Sequence, residues 1–88
     1  MVYTTHAQER MSQRGINQFA IELAIKIGRS FYSKEAQFFF LGKKEVKRYF
    51  KVIPLITKYE GIVVVINSKC EVATTYRNRS FLKNFKSN

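Results

Sequence analysis

The spacing of apolar residues changes from helical to strand-like at Gly28, and this change limits the folds open to the chain more than any other feature. Before it, two helical segments are predicted, over residues 6–14 and 18–27. Thr5 with Gln8 has the capping-box spacing that favours a helix start, and a glycine closes each segment. The first part of the chain is therefore predicted to form two short helices joined by a tight turn.

Short strand-like runs dominate the chain after Gly28. The runs RSFYSK and AQFFFLG predict a hairpin, and GIVVVIN and CEVATTYRN predict two more strands, joined by a turn at residues 67–69. Between these pairs, residues 43–61 combine helical spacing with an interrupting Pro54, which predicts an irregular, partly helical excursion. The basic tail RSFLKNFKSN is predicted to form a short helix or an extra strand.

Helices followed by strands are typical of the α+β class. With 88 residues the chain is long enough for one domain and too short for two. We therefore expect a single domain, residues 1–88, with two N-terminal helices packed on one face of a three- to four-stranded antiparallel sheet. The other face of that sheet is expected to be open or partly covered by the excursion.

The charge of the chain is strongly one-sided. Sixteen Lys and Arg residues face six acidic residues, all of them Glu, for a formal net charge of +10. An excess this large points to a polyanionic partner, with nucleic acid first, acidic protein second and a membrane surface third. A metal-dependent nuclease needs several carboxylates, and a sequence without Asp or a His/Cys cluster argues against one. No metal or other cofactor is expected.

Cysteine usage and hydropathy indicate a cytoplasmic protein. The one cysteine, Cys70, cannot form an internal disulfide, which suits a reducing compartment. The first ten residues contain no apolar signal region, and the longest apolar run, IVVVI, is far too short to cross a membrane. We therefore expect a soluble protein with no membrane partner.

The one histidine of the chain lies in the first predicted helix and is followed at four-residue steps by Arg10 and Arg14. This spacing stacks His6, Arg10 and Arg14 along one stripe of the helix. If Ala7 and Met11 pack inward, the stripe lies at the margin of the packed face and is half exposed. Neighbouring cations are stable there when an anion faces them, and phosphate is the natural candidate because guanidinium groups bind it bidentately.

The last predicted strand ends with Arg77 and Arg79, which places two more cations at the rim of the sheet. If the first helix packs over this strand, His6, Arg10 and Arg77 converge on one anion. Strict alternation predicts that the strand presents two sets of side chains on opposite faces, namely Val72, Thr74 and Tyr76 on one and Ala73, Thr75 and Arg77 on the other.

A cluster of His6, Arg10 and Arg77 suits metal-independent cleavage of RNA. That reaction needs a base for the 2′-hydroxyl proton, cations to stabilise the charge on the phosphate, and an acid for the leaving oxygen. Histidine titrates near neutral pH and serves in either proton-transfer role, while Tyr76 is a candidate second acid. A lone histidine at a helix start also commonly has a structural role, and the arginines of the stripe have nearby glutamates as alternative partners.

A second group of cations lies in the segment KKEVKRYFK. These residues either contact a phosphate backbone or form a solvated face, and the net charge of the chain favours contact. The aromatic run QFFFLG is predicted to belong to the core and the sheet. Aromatic residues beside a basic groove also stack on bases, which leaves a base-stacking platform as the alternative.

In order and spacing, HAQERMSQRGI, IELAIKIG, AQFFFLGKKEV, EGIVVVIN and VATTYRN resemble the bacterial domain-of-unknown-function family numbered 4258. The pattern of that family opens with His-Ala-x-x-Arg-Met-x-x-Arg-Gly-Ile and closes with a strand ending in Thr-x-Tyr-Arg. The resemblance covers residues 5–78. One departure is Cys70–Glu71, where relatives often have an Asp-Gly type of turn.

That family is similar to the RelE/ParE-type toxins and to the wider barnase-like and colicin-like ribonucleases. The resemblance implies two helices followed by a four-stranded antiparallel sheet. It also implies a metal-free activity on RNA, often paired with an antitoxin that neutralises the basic face. The sequence leaves open whether that RNA is free or on the ribosome. His6, Arg10 and Arg77 match the recurring polar positions of the family, with Arg14, Thr75 and Tyr76 next.

We therefore expect a small, basic, toxin-like ribonuclease with His6, Arg10 and Arg77 as its catalytic residues. Two alternatives remain open: a non-catalytic nucleic-acid-binding module, and an adaptor whose basic face recognises an acidic protein. Substrate contacts are expected from a wider set of residues, namely Arg14, Lys43, Lys44, Lys47, Arg48, Thr75, Tyr76 and Arg79.

Overall fold

The structure is a computed structural model that describes residues 1–84 and has an α+β architecture. Its two N-terminal helices, α1 (Thr5–Arg14) and α2 (Gln18–Ile27), confirm the two helices predicted from the sequence. Within residues 1–84, no helix is long and apolar enough to cross a membrane.

The helix caps explain where α1 and α2 begin. Thr4 caps α1 in place of the predicted Thr5, and its hydroxyl accepts a backbone amide of the first turn at 3.1 Å. Asn17 caps α2 as predicted, its side-chain oxygen accepting the Ala20 amide at 2.8 Å. Gly15 ends α1 with a φ of 62°, a left-handed conformation that favours glycine.

In the part of the chain that the structure describes, one sheet contains five strands, in the order β1-β5-β4-β3-β2. β1 runs parallel to β5, and the other neighbouring pairs are antiparallel. The predicted three- to four-stranded, purely antiparallel sheet is therefore wrong, because the sheet is mixed and has a fifth strand. The strands are β1 (Val2–Tyr3), β2 (Arg29–Ser33), β3 (Ala36–Phe40), β4 (Ile62–Ile66) and β5 (Glu71–Arg77).

The strand absent from the prediction is β1. Val2 pairs with Glu71 and Tyr3 with Val72 of β5. Thr4 extends the attachment, because its amide and hydroxyl donate to backbone carbonyls of β5, both at 3.0 Å. Two residues directly before a helix are too few to show a period of two, so the pattern contains no signal for this strand.

The remaining helices lie before β4 and after β5 in the chain. The excursion over residues 43–61 is partly helical, as predicted, and consists of α3 (Lys43–Tyr49) and a 3₁₀ helix (Pro54–Tyr59). The basic tail forms the short helix α4 (Phe81–Asn84), which confirms one of its two predicted forms. The rest of the predicted tail element, residues 85–88, lies outside the described residues.

The core is divided between the two faces of the sheet. On one face, α1 and α2 pack against β4 and β5, burying Ala7, Ile21 and Ala24 with Val64 and other aliphatic side chains. Both N-terminal helices therefore lie on one face, as predicted. On the opposite face a smaller cluster buries Phe40, Val63 and Phe81.

A β-bulge in β5 overturns the predicted alternation of its side chains. Val65 pairs with Thr74 but Ile66 pairs with Val72, so one extra residue, Ala73, is inserted into β5. Val72 consequently belongs to the helix-side core, whereas Thr74 lies opposite Val65 on the other face. The prediction that Val72, Thr74 and Tyr76 share a face is wrong for Val72.

Candidate nucleic-acid interface

Two neighbouring cavities lie where β2 begins and β3 ends, and they share Arg29 and Lys44. Their volumes are about 410 Å³ on the α3 side and about 260 Å³ on the α4 side. Among the described residues, seven cationic side chains and one acidic side chain, Glu45, line them. We call this surface the Arg29 groove, and its cations are Arg29, Lys43, Lys44, Lys47, Arg48, Arg79 and Lys83.

The one carboxylate of the groove within residues 1–84 is already paired with a cation. Glu45 is 6% exposed, and its Oε2 lies 2.8 Å from Arg29 Nε. The Nε atom has no well-aligned hydrogen bond, so this contact is an ion pair rather than a directed bond. The other oxygen, Oε1, accepts the Gly42 amide at 2.8 Å and caps the first turn of α3. Glu45 therefore anchors Arg29 and α3 together without presenting a free negative charge.

Gly42 allows Arg29 to lie this close to α3. A Cβ atom at Gly42 would come within 2.6 Å of the Phe40 ring and 2.9 Å of an Arg29 guanidinium nitrogen. Arg29 also lies over the Phe40 ring, with its guanidinium carbon 5.9 Å from the ring centre. A side chain at Gly42 would therefore displace the cation at the centre of the groove.

The other six cations of the groove are exposed. With the one carboxylate paired, no other described residue of the lining offsets their charge, and like charges held this close repel one another until an anion binds. Lys and Arg side chains grouped along a groove are the usual means of binding a phosphate backbone. Five of the predicted binding residues meet here, namely Lys43, Lys44, Lys47, Arg48 and Arg79.

The predicted stripe on α1 forms at the margin of the helix-side core. Ala7 is fully buried and Met11 packs partly against the core, which leaves His6 exposed beside them. Arg10 Nε donates to His6 Nε2 at 3.5 Å, and another guanidinium nitrogen of Arg10 donates to the Gln13 side chain at 3.1 Å. The structure thus brings His6 and Arg10 into contact, through a long bond that a stronger acceptor can replace.

Neither Arg14 nor Arg77 takes part in the hydrogen bond between Arg10 and His6. Arg14 is exposed at the last position of α1. Arg77 is exposed at the end of β5, and its Cγ and that of Arg79 both lie close to the position of a Cβ on Gly61. Within residues 1–84, no hydrogen bond or ion pair joins Arg77 to His6 or to Arg10. Arg77 is therefore a neighbour of the Arg29 groove through Arg79.

Thr75 and Tyr76 occupy opposite faces of β5. Thr75 is fully buried on the helix side, and its hydroxyl donates to the Val63 carbonyl at 2.8 Å. The structure therefore places this predicted binding residue in the core. Tyr76 packs partly against the smaller cluster on the other face, where burial raises the pKa of its phenol above the ordinary value.

Two cations of the groove, Arg29 and Lys83, are absent from the residues predicted to bind substrate. The sequence signal for Arg29 is slight, since it is one arginine after Gly28 at the start of a strand. Arg29 holds its place in the groove by pairing with Glu45. That residue lies on a different element and becomes buried only when the chain folds. Lys83 joins the groove because α4 returns across the end of the sheet.

Within residues 1–84, no three His, Cys, Asp or Glu side chains group closely enough to hold a metal ion. Cys70 is exposed and has a free thiol. No family model, curated protein or solved structure matches the chain. The assignment to family 4258 therefore stays a prediction that depends on the motifs of the sequence.

Proposed function

We propose that this protein binds RNA through the Arg29 groove and cleaves it without a metal ion, as a toxin-like ribonuclease. The observation that carries the proposal is the grouping of seven described cations around two adjoining cavities, where the one carboxylate among the described residues is already paired. Such a surface favours a ligand with several closely spaced negative charges, and a nucleic-acid backbone is the ligand of that kind most often bound by basic domains.

His6 and Arg10 are the groups proposed to carry the reaction. Because His6 Nε2 accepts a bond from Arg10, it is the ring nitrogen with an available lone pair. It takes the proton of a 2′-hydroxyl as the 2′-oxygen attacks phosphorus, and the 5′-oxygen leaves with that proton returned from the imidazolium. Arg10 moves from the ring to the phosphate and stabilises its added negative charge. The products are a 2′,3′-cyclic phosphate and a free 5′-hydroxyl.

Arg77 completes the proposed phosphate contacts from the end of β5. Arg77 lies beside the groove residue Arg79, and it also ends β5, the strand against which α1 packs. A strand of RNA lying from the groove towards α1 would pass Arg77 on the way. On the toxin hypothesis, an antitoxin with an acidic surface would inhibit the protein by covering these same cations.

The test is a cleavage assay with purified protein and total RNA in EDTA. We expect the wild-type protein to cleave, and His6→Ala and Arg77→Ala to lose most of the activity while still binding RNA. Glu9→Gln, an exposed change on the same helix as His6, is the matched control and should cleave as the wild type does. Cleavage that survives His6→Ala would overturn the catalytic assignment. Analysis of the new ends for 2′,3′-cyclic phosphate checks the reaction itself.

A second candidate function, a non-catalytic RNA-binding module, is favoured by the lining of the groove, which includes none of the three proposed catalytic residues. It requires the groove but not the histidine. On this hypothesis wild-type protein binds RNA without cleaving it, His6→Ala has no effect, and joint replacement of Lys43, Lys44, Lys47 and Arg48 by alanine abolishes binding. The same cleavage assay, run beside a binding assay, distinguishes the two functions.

A further inference from the structure

Arg29 is the most closely held cation of the Arg29 groove. Its Nε lies 2.8 Å from the buried Glu45 carboxylate, its guanidinium carbon lies 5.9 Å from the centre of the Phe40 ring, and a Cβ on Gly42 would come within 2.9 Å of one of its terminal nitrogens. The Arg29 side chain is 35% exposed, whereas the other six described cations of the groove are exposed. Arg29 therefore loses less conformational entropy on binding an anion than an unrestrained cation does.

The ion pair with Glu45 leaves the outer edge of the Arg29 guanidinium group able to bind a ligand. The pair is made through Nε, and no hydrogen bond within residues 1–84 uses the two terminal nitrogens. Two parallel N–H groups of a guanidinium match two oxygens of a phosphate group. Because Glu45 balances the charge of Arg29, the attraction for an anion comes mainly from neighbouring lysines such as Lys44. Arg29 thus sets the position of the phosphate, and Lys44 supplies charge.

A phosphate held by these two residues would lie where the two cavities of the groove meet, because Arg29 and Lys44 line both of them. The cavities extend to either side, with volumes of about 410 Å³ and about 260 Å³. Ligand pockets in proteins begin at roughly 300 Å³, so each cavity is close to the size that one small organic group occupies. A phosphate with a nucleoside on each side fits this arrangement, whereas a phosphate at the end of a strand would leave one cavity unused.

We infer that Arg29 binds an internal phosphodiester group of an RNA strand, with Glu45 as its positioning residue and the two neighbouring nucleosides directed into the two cavities. This inference rests on the proposed RNA binding and names the part of the RNA that is recognised, a linkage within the strand rather than a terminal phosphate. The exposed cations around Arg29 act as point charges on the neighbouring phosphates.

The first experiment replaces arginine by lysine at two positions of the groove and measures affinity for a short single-stranded 2′-O-methyl RNA. The 2′-O-methyl group removes the attacking hydroxyl, so binding is measured without cleavage. We expect Arg29→Lys to weaken binding by about fivefold or more, because lysine cannot pair with Glu45 and also present two parallel N–H groups to a phosphate. The slope of log affinity against log salt should stay the same, since no charge is lost.

Arg79→Lys is the matched comparison within the groove. Arg79 is exposed, and the one ion pair within residues 1–84 is that of Arg29 with Glu45, so Arg79 is not held in the same way. A lysine there should weaken RNA binding by a smaller factor, about twofold at most, because a point charge at this position needs no fixed orientation.

The second experiment tests the positioning role of Glu45, for which simple charge attraction makes the opposite prediction. Glu45→Gln removes a negative charge from the groove, and charge alone predicts tighter RNA binding. We expect binding about threefold weaker or worse, because Arg29 loses the partner that orients it. In an Arg29→Lys background Glu45→Gln should cause no further loss, which a general structural effect would cause in both backgrounds. Urea unfolding shows which variants are folded, and if Glu45→Gln is not, the comparison of Arg29→Lys with Arg79→Lys decides.

The third experiment distinguishes an internal linkage from a strand end. The same 2′-O-methyl strand is prepared with a 5′-phosphate, without one, and closed into a circle. Binding to an internal phosphodiester predicts affinities within about twofold of one another, because all three forms present the same linkages. A site for a terminal phosphate predicts that the circle and the strand without a phosphate both bind much more weakly.

Equal effects of Arg29→Lys and Arg79→Lys would overturn the inference, as would tighter RNA binding by Glu45→Gln or a large loss of affinity in the circle. Lys44→Ala separates this failure from failure of the proposed function. If Lys44→Ala weakens RNA binding while Arg29→Lys does not, RNA binding through the groove stands and the fixed phosphate site is rejected. If neither variant weakens binding, the proposed RNA binding through the groove fails as well.

Discussion

Arg29 Nε lies 2.8 Å from Glu45 Oε2, which joins the first residue of β2 to a buried carboxylate on α3. The same carboxylate accepts the Gly42 amide through its other oxygen. One acidic residue thus holds a strand, a helix start and the central cation of the groove in a fixed relation. This contact fixes the position of Arg29, whereas the other six described cations of the groove are exposed.

Glu45→Gln should destabilise the fold by about 1–3 kcal/mol, because the buried ion pair is lost while Arg29 remains partly desolvated. The free energy of unfolding in urea at neutral pH measures this change. Glu9→Gln removes one negative charge from an exposed position on α1 and is the matched control. Equal stabilities for Glu45→Gln and Glu9→Gln would show that the Arg29 contact does not stabilise the fold.

Cys70→Gly should stabilise the fold by about 1 kcal/mol. Cys70 has a φ of 62° in the turn between β4 and β5, a conformation that costs an L-residue energy and glycine almost none. The turn itself is kept, because Asn67 accepts the amides of Lys69 and Glu71, both at 3.0 Å. Thermal or urea unfolding measures the difference under reducing conditions.

Ser68→Gly in the same turn is the control for Cys70→Gly. Ser68 does not have a positive φ, so glycine there only adds freedom to the unfolded chain and should lower stability by about 0.5–1 kcal/mol. A loss of stability in Cys70→Gly similar to that in Ser68→Gly would contradict the strain assigned to this turn.

Stability should fall as the pH rises above about 10, and Tyr76→Phe should reduce the fall. Burial raises the pKa of the Tyr76 phenol above 10.0. Below that pH the phenol is protonated in both folded and unfolded chains, whereas above it the unfolded chain loses its proton first and is favoured. The slope of unfolding free energy against pH, from pH 9 to 11, measures the effect.

Tyr3 should contribute to the same alkaline loss, since burial and the charge of Glu22 raise its pKa as well. The double variant Tyr3→Phe/Tyr76→Phe should therefore have a flatter pH dependence than Tyr76→Phe alone. Identical slopes for the wild type and the double variant would contradict both shifts.

The elements that could be predicted from the sequence are those with a local signal. Asn17 is a side-chain cap placed directly before a helical stripe, and the strand that begins at Ile62 is a continuous β-branched run. The bulge at Ala73 has no such signal, because it depends on how β5 pairs with β4. Because of this one inserted residue, Val72 lies on the helix side of the sheet, whereas Thr74 and Tyr76 lie on the other face.

The candidate site also has one part that could be predicted from local sequence and one part that depends on tertiary structure. His6 and Arg10 meet because a four-residue step along one helix is enough to bring them together. The groove required tertiary structure, since Arg29, Glu45 and Lys83 belong to three elements distant in sequence. The expected convergence of Arg77 with His6 depended on how α1 crosses β5, which no local pattern specifies.

The most direct test of RNA binding through the Arg29 groove compares two triple variants that lose the same charge. Lys43→Ala/Lys44→Ala/Lys47→Ala removes groove cations, and Lys26→Ala/Lys58→Ala/Lys69→Ala removes exposed cations elsewhere. The affinity for a single-stranded 2′-O-methyl RNA is measured by fluorescence anisotropy from 50 to 200 mM salt. We expect the groove variant to bind more weakly and to lower the slope of log affinity against log salt by about 2, since each lost phosphate contact on a single strand contributes about 0.7. The control variant should keep nearly the wild-type slope, and equal losses in both variants would contradict a localised binding groove.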